Sequence, residues 1–327
     1  MSELLNFAQY KSKICEILSD AGLNESQINI VADYFATVDF YGIKSHGVKT
    51  LKAHVDKIVN EQYNINPNFE VIKDFPGCAV IDGDNSIGMV SATKCIDYAM
   101  ERASTSGVFS VYSYNNNTYG AAFYYALQAA KNGFICFTMS NSPAQMAPYG
   151  GKKKMLGTNP FAVGIPGKNS NPLIIDMATS VVAKSKLNEY KNTNQPIPQG
   201  WALDCNGQPT TDAQTALEGL MLPMAGFKGY GISLVIDSLA GLLSGAQYLD
   251  SVGRFYAINK NSMNVGFNFV IVSPTLIYGE NFYSEFDNYI MKLRECPTVS
   301  QEEIVIPGDD RIKAFNQNIK NGIEFIY

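Results

Sequence analysis

Apolar runs of strand length alternate with stretches of helical spacing through the middle third of this chain, and no other feature narrows its fold as much. Ala79-Val80-Ile81 reads as a strand closed by the turn residues Asp82-Gly83-Asp84-Asn85. Residues 90–105 follow at helical spacing, then Val108 to Tyr112 as a strand, a small-residue helix from Gly120 to Asn132, and a strand from Phe134 to Met139. Pro160 to Ile165, Leu173 to Ile175 and Phe269 to Val272 are further strand-like runs. Such alternation points to helices layered on a sheet, the α/β class. The flanks read differently. Residues 6–60 are helical in pattern: Asn24 with Gln27 resembles a capping box, and Ile28, Val31, Phe35 and Val38 recur at helical spacing. That helix should end near Tyr41-Gly42, before a second one through Leu51, Val55 and Ile58. Residues 229–244 read as one apolar helix, and Phe282 to Leu293 and Arg311 to Asn321 as two more. Asn192 to Thr211, rich in Pro, Asn, Gln, Gly and Thr, reads as an ordered loop or excursion.

Composition removes several classes of function. A chain of 327 residues has room for two or three domains. Its net charge of -5 argues against nucleic acid or an anionic membrane as the main partner. The start, MSELLNFAQY, has neither a basic cluster nor an apolar stretch, so no secretory signal is expected. The most apolar segment, Ile232 to Ala246, carries Asp237 and is too short to span a bilayer. Six cysteines without a CxxC pair read as reduced thiols of a cytoplasmic protein. With only His46 and His54 as histidines, no metal site is expected.

Four segments can carry chemistry. His46 lies within Ser45-His46-Gly47 at a helix junction, whereas His54 lies mid-helix, a poor place for an acid. Reducing a carbonyl or imine needs a proton donor that titrates near neutrality, so His46 is the candidate, against a merely structural or exposed role. Asp176 closes an apolar strand and is followed by Ala178, Thr179 and Ser180; it is either a cleft-lining carboxylate or an N-cap. Lys228, in Phe227-Lys228-Gly229-Tyr230-Gly231, opens a helix, where the dipole already repels a cation. An anion held between lysine and backbone amides would account for it; the alternative is a solvated lysine in a glycine turn. Gly150-Gly151-Lys152-Lys153-Lys154 is either a solvated loop or a turn that recruits an anion. No GxGxxG follows a strand, so the Rossmann fingerprint is missing.

Taken in order, these segments resemble the malate/L-lactate dehydrogenase-like family of NAD(P)-dependent oxidoreductases. The resemblance runs through Asp39-Phe40-Tyr41-Gly42-Ile43-Lys44-Ser45-His46-Gly47-Val48, Asp82-Gly83-Asp84 and Tyr119-Gly120-Ala121-Ala122. It continues through Asn141-Ser142-Pro143, Leu156-Gly157-Thr158-Asn159-Pro160, Asp176-Met177-Ala178-Thr179-Ser180, Pro198-Gln199-Gly200-Trp201-Ala202, Lys228-Gly229-Tyr230-Gly231 and Ile306-Pro307-Gly308. It implies a mixed sheet covered by helices, unrelated to the Rossmann arrangement, in a homodimer that binds NADH or NADPH and a small-molecule substrate. In domain terms it implies a helical part, residues 1–75, packed with 275–327. Residues 76–190 and 226–274 would form the cofactor-binding part, with 191–225 inserted.

The resemblance also implies roles. His46 would donate the proton, with Ser45 and Asp176 as relay partners, and Thr158 and Asn159 would lie by the substrate. Thr118, Tyr119, Gly120, Ala121, Met177, Ala178, Thr179, Ser180, Lys228, Gly229, Pro307, Gly308 and Asp309 would hold the cofactor. Three positions depart from the family pattern. Thr50 stands where an arginine usually clamps the substrate carboxylate, Thr118 where many members have histidine, and Phe227 where a histidine usually precedes Lys228. Lys49 is a neighbouring cation, but a lysine cannot reproduce the bidentate guanidinium fork. Three functions follow: a reductase of a 2-oxo acid or cyclic imine, an ordinary malate- or lactate-type dehydrogenase in which Lys49 or one of Lys152 to Lys154 replaces the arginine, or a catalytically silent cofactor-binding relative.

Overall fold

A sheet of seven strands organises the computed structural model, which describes residues 3–257, 262–299 and 303–327. The strands are β1 (Glu70–Asp74), β2 (Cys78–Asp82), β3 (Val108–Asn116), β4 (Ile135–Ser140), β5 (Phe161–Ile165), β6 (Leu173–Met177) and β7 (Val265–Val272). They lie in the order β1-β2-β3-β7-β4-β5-β6. β2 and β3 run parallel, and every other neighbouring pair is antiparallel. The expected mixed α/β architecture is present. β7 enters between β3 and β4 and has neighbours on both sides; Phe267, Phe269 and Ile271 are fully buried on it. β1 falls in a stretch expected to be helical. Its five residues are exposed, so main-chain pairing at the sheet edge, rather than an apolar pattern, makes it a strand.

Helices α1 (Phe7–Asp20), α2 (Glu25–Phe40), α3 (Leu51–Val59), α4 (Gly88–Ser106) and α5 (Ala122–Lys131) precede the centre of the chain. α4 lies on β3 and β7, α5 on β4 and β5, and α2 packs over both helices. The capping box is formed at Asn24 and Gln27, and α2 stops at Phe40, one residue before Tyr41. Residues 184–221 build a smaller unit around Leu187, Ile197, Ala202, Ala213 and Ala216, with α6 (Lys184–Asn192), α7 (Ala213–Glu218) and a three-stranded sheet.

The apolar stretch expected as one helix over 229–244 is instead α8 (Phe227–Ile236), running on as wide π-helical turns over Asp237–Leu243. Those turns lie on the sheet where Gly266 has no side chain; a Cβ there would overlap the Ala240 carbonyl. Asp237 also accepts a hydrogen bond from the Leu249 amide at 3.1 Å, so sheet contact and this bond both act on the widened segment. Helices α9 (Phe282–Arg294) and α10 (Asp309–Asn321) end the chain. Leu4–Leu5 pairs antiparallel with Ile323–Glu324, and α10 packs against α2, so both chain ends meet beside the helix that carries the His46 loop.

Candidate active site

The loop after α2 presents Ser45-His46-Gly47 just ahead of the 3₁₀ turn Val48–Thr50. Its backbone is held from three sides. The fully buried Tyr34 hydroxyl donates to the His46 carbonyl at 3.3 Å and accepts from the Ala121 amide at 2.7 Å. The buried Asp39 carboxylate accepts from the Val48 amide at 2.7 Å and from the Tyr10 hydroxyl at 2.9 Å. The Thr50 hydroxyl donates to the Gly47 carbonyl at 2.9 Å. Gly47 allows the carboxylate in so close, because a Cβ there would overlap Asp39. Ser45 Oγ lies 2.9 Å from His46 Nδ1, which leaves Nε2 free to meet a ligand. The ring is exposed on its open side with protein packed around the rest, and desolvation lowers its pKa below the usual histidine value.

His46 faces a cavity of about 580 Å³, a volume suited to a small-molecule site. Ser45, Thr50, Thr118, Gly120 and Thr158 share its walls. So do Lys154, Lys184 and Arg254, and among the described residues no aspartate or glutamate lines it. None of these three cations is ion-paired among the described residues. Lys154 Nζ reaches only the Leu217 carbonyl, at 3.2 Å. Burial lowers the Lys154 pKa, and Lys184 and Arg254 lower it further against an opposing pull from Glu218; Lys184 is lowered by burial and then by Arg254. His54 also borders the cavity, but it is buried against Phe35 and Phe255 with Nδ1 3.1 Å from the Tyr63 hydroxyl. Burial, helped by Lys57, drives its pKa down to about 3, so it stays neutral.

The sequence matches the malate/L-lactate dehydrogenase family over residues 5–326. The chain belongs to that family. Malate dehydrogenase of Pyrococcus horikoshii is 36% identical to it over 321 residues, covering 95% of this chain and 88% of the relative. Ureidoglycolate dehydrogenase (NAD(+)) of Escherichia coli K12 is 31% identical over 318 residues, covering 97% and 89%. The solved structure of sulfolactate dehydrogenase from Methanocaldococcus jannaschii superposes with a TM-score of 0.91 at 32% identity, over 99% of this chain and 93% of that one. The protein is therefore an oxidoreductase of the dehydrogenase kind.

Against the family pattern, the structure sorts the expected residues into those that meet at the cavity and those that do not. At the arginine position, Thr50 lines the cavity with its hydroxyl already committed to Gly47. Lys49 is exposed and does not line the cavity; of the lysines named as substitutes, Lys154 does, whereas Lys153 pairs with Asp250 and Lys152 borders a neighbouring pocket. Thr158 faces the cavity, but Asn159 is fully buried and its amide is spent on Ser142 and Ser233, so it braces the wall. Asp176 is not a lining residue. It lies near Tyr34 and Tyr119; its outer side is exposed, but desolvation by the protein around the rest raises its pKa to about 6, opposed by Arg311 and the Phe123 amide.

Of the expected cofactor contacts, Thr118 and Gly120 line the cavity. The Tyr119 ring is stacked in the core on Tyr125 and Phe267, and Ala121 spends its amide on Tyr34. Met177 is exposed and Ala178 half-buried; Thr179 and Ser180 are buried, bonded to the Thr158 and Val182 carbonyls. Lys228 is exposed in the first turn of α8, and Gly229 lies against Met224, where a Cβ would overlap its carbonyl. Phe227 is exposed beside it, edge-on to Tyr149 at 5.7 Å. The Pro307 carbonyl accepts from Ile174, Gly308 starts α10 at φ +102°, and Asp309 is bound to Arg294 and the Ile306 amide. Tyr34, Asp39, Lys184 and Arg254 enter the site without having been singled out. Asp39 lies in the quoted motif, but nothing in the spacing of the other three points at this cavity.

Proposed function

We propose that the protein transfers hydride between a nicotinamide cofactor and the C=O or C=N carbon of a small 2-oxo acid or cyclic imine, with His46 as proton donor. The observation that carries this reading is the His46 ring, held through Ser45 Oγ at 2.9 Å and facing a cavity whose other charged lining, among the described residues, is cationic. When bound, the reduced cofactor supplies a hydride to the substrate carbon. His46 then gives its Nε2 proton to the substrate oxygen or nitrogen, while Ser45 takes a hydrogen bond from Nδ1 and keeps the ring oriented. At rest, burial disfavours the imidazolium; an anionic substrate in the same cavity favours it and so brings the proton to the site. Asp176, near the Tyr34 that bonds the His46 carbonyl, is the proposed relay partner.

The donor set fits a nicotinamide dinucleotide. Thr118 and Gly120 offer a polar and an open wall beside His46, and exposed Lys228 beside the first-turn amides of α8 suits a phosphate. The name of the ureidoglycolate dehydrogenase supports NADH, and NADPH is the alternative form. Exposed Val235, Leu242 and Leu243 on α8 and its extension support a homodimer, and the six unpaired cysteines are in keeping with a cytoplasmic site of action. A second reading, an ordinary malate- or lactate-type dehydrogenase with a lysine in place of arginine, is favoured by Lys154 in the cavity wall.

The test is cofactor oxidation with a panel of 2-oxo acids and cyclic imino acids, for the wild type and His46→Ala. Turnover by the wild type that His46→Ala loses supports the proposal. Cofactor binding with no turnover of any compound would instead favour a silent binding protein.

A further inference from the structure

His54 borders the cavity, is only 3% exposed, and takes no part in the proton transfer described above. It stands one helical turn beyond Thr50, and this spacing brings the two side chains to one face of α3 and one wall of the cavity. Phe35 meets the ring edge-on with centroids 5.8 Å apart, and Phe255 tilts against it at 4.8 Å, so packing fixes its orientation. Its Nδ1 lies 3.1 Å from the hydroxyl of buried Tyr63, which has no other partner among the described residues. The nearby Lys57 offers that hydroxyl no acceptor, because an ammonium only donates, and it is bonded to Gln62 Oε1 at 2.9 Å. Tyr63 therefore donates to Nδ1, which places the ring's own proton on Nε2. Nε2 has no partner among the described residues. A buried N–H without an acceptor is costly, and the cavity is where an acceptor can enter.

Resting on the proposed function, we infer that His54 is a substrate contact, its Nε2–H donating to an acceptor oxygen at the end of the cavity where the family carries arginine. Thr50 has its hydroxyl proton bonded to the Gly47 carbonyl and brings no charge to that end, so the imidazole one turn further on supplies the donor. Burial and then Lys57 keep the ring neutral, which makes the bond directional but uncharged. Such a donor can hold a carbonyl or amide oxygen as well as a carboxylate, whereas a guanidinium fork is matched to an anion. The nicotinamide carboxamide is a second source of an acceptor oxygen. His54 shares its wall with Thr50, the position that meets substrate in the family pattern, and this assigns the bond to the substrate.

The experiment measures substrate and cofactor KM in the wild type, His54→Phe and His54→Gln, with the compound turned over fastest in the panel above. Phenylalanine keeps the packing against Phe35 and Phe255 and removes the donor, and glutamine returns an N–H near the place of Nε2. His54→Phe should raise the substrate KM about tenfold, the effect of one lost hydrogen bond, with a smaller change in kcat and none in the cofactor KM. His54→Gln should recover most of that loss. An unchanged substrate KM, a rise confined to the cofactor KM, or the same rise in both variants would overturn the inference. A second readout needs no turnover. The chain has only two histidines, so nitrogen NMR of protein labelled at histidine reads His54 directly, with His46→Ala for assignment. His54 should be neutral with its proton on Nε2. Oxamate, an unreactive analogue of a 2-oxo acid, added with NADH should move the Nε2 resonance of His54 in His46→Ala. A proton on Nδ1, or an Nε2 resonance that saturating oxamate leaves in place, would sink the contact whether or not His46 donates a proton.

Discussion

Removing one oxygen atom, in Tyr34→Phe, tests how the His46 loop is held. Tyr34 is fully buried and Ala121 is 3% exposed, so no water can replace the hydroxyl that accepts from the Ala121 amide at 2.7 Å. Leaving that amide unpaired costs about 1–3 kcal/mol. The longer bond to the His46 carbonyl, at 3.3 Å, adds at most about 1 kcal/mol. The expected loss is about 2–3 kcal/mol in urea unfolding. The same deletion frees the His46 backbone, so kcat for reduction should fall between about 10- and 100-fold, the scale of a small misplacement of a reacting group. Tyr283→Phe is the comparison: its hydroxyl donates to the partly exposed Gly133 carbonyl at 3.0 Å, outside the site, and its loss should cost about 1 kcal/mol. If Tyr34→Phe costs no more than Tyr283→Phe and leaves kcat unchanged, the clamp on His46 does not work as described.

Three further outcomes follow from particular contacts. Gly47→Ala drives a methyl into the Asp39 carboxylate, which Tyr10 and Val48 hold in place, and should cost about 1–3 kcal/mol in chemical unfolding; an unchanged midpoint would show that Asp39 yields freely. Asn159→Ala strands the Ser142 amide and removes the bonds to Ser233, so its Tm should fall, and wild-type thermal stability would refute the brace. Burial holds the His54 pKa at about 3, so between about pH 6.5 and 3 the unfolded chain binds a proton that the folded chain refuses. Stability should therefore drop as pH falls through that window, by up to roughly 1.4 kcal/mol per unit from this one group. His54→Phe should flatten the decline, and an equally steep decline in that variant would remove His54 as its source.

Much of the scaffold was legible because its signals are local. Alternating apolar runs gave the strands, Asn24 and Gln27 marked the start of α2, and the quoted motif marked the His46 loop. What local pattern cannot carry is a contact across the chain. β1 is a strand through its pairing with β2, and the apolar run after Ile236 widens where it lies over Gly266. The site divides in the same way. His46, Ser45, Thr50, Thr118, Gly120 and Thr158 do line one cavity, but Asn159, Tyr119 and Thr179 look like site residues in sequence and serve as braces. Arg254 and Lys184 are distant from His46 in sequence and reach the cavity only through the fold, so a search for a substitute arginine near Thr50 finds Lys49, which the structure leaves outside.

The pH dependence of kcat/KM for 2-oxo acid reduction, in the wild type and in His46→Gln, tests the central claim most directly. Desolvation lowers the His46 pKa, so the wild-type rate should fall as pH rises through an apparent pKa below the usual histidine value, while oxidation of the matching 2-hydroxy acid rises over the same range. His46→Gln should lose about 10²- to 10⁴-fold in reduction and lose that limb of the profile. A His46→Gln enzyme that keeps the wild-type rate, or the same falling limb, would contradict the assignment of His46 as proton donor.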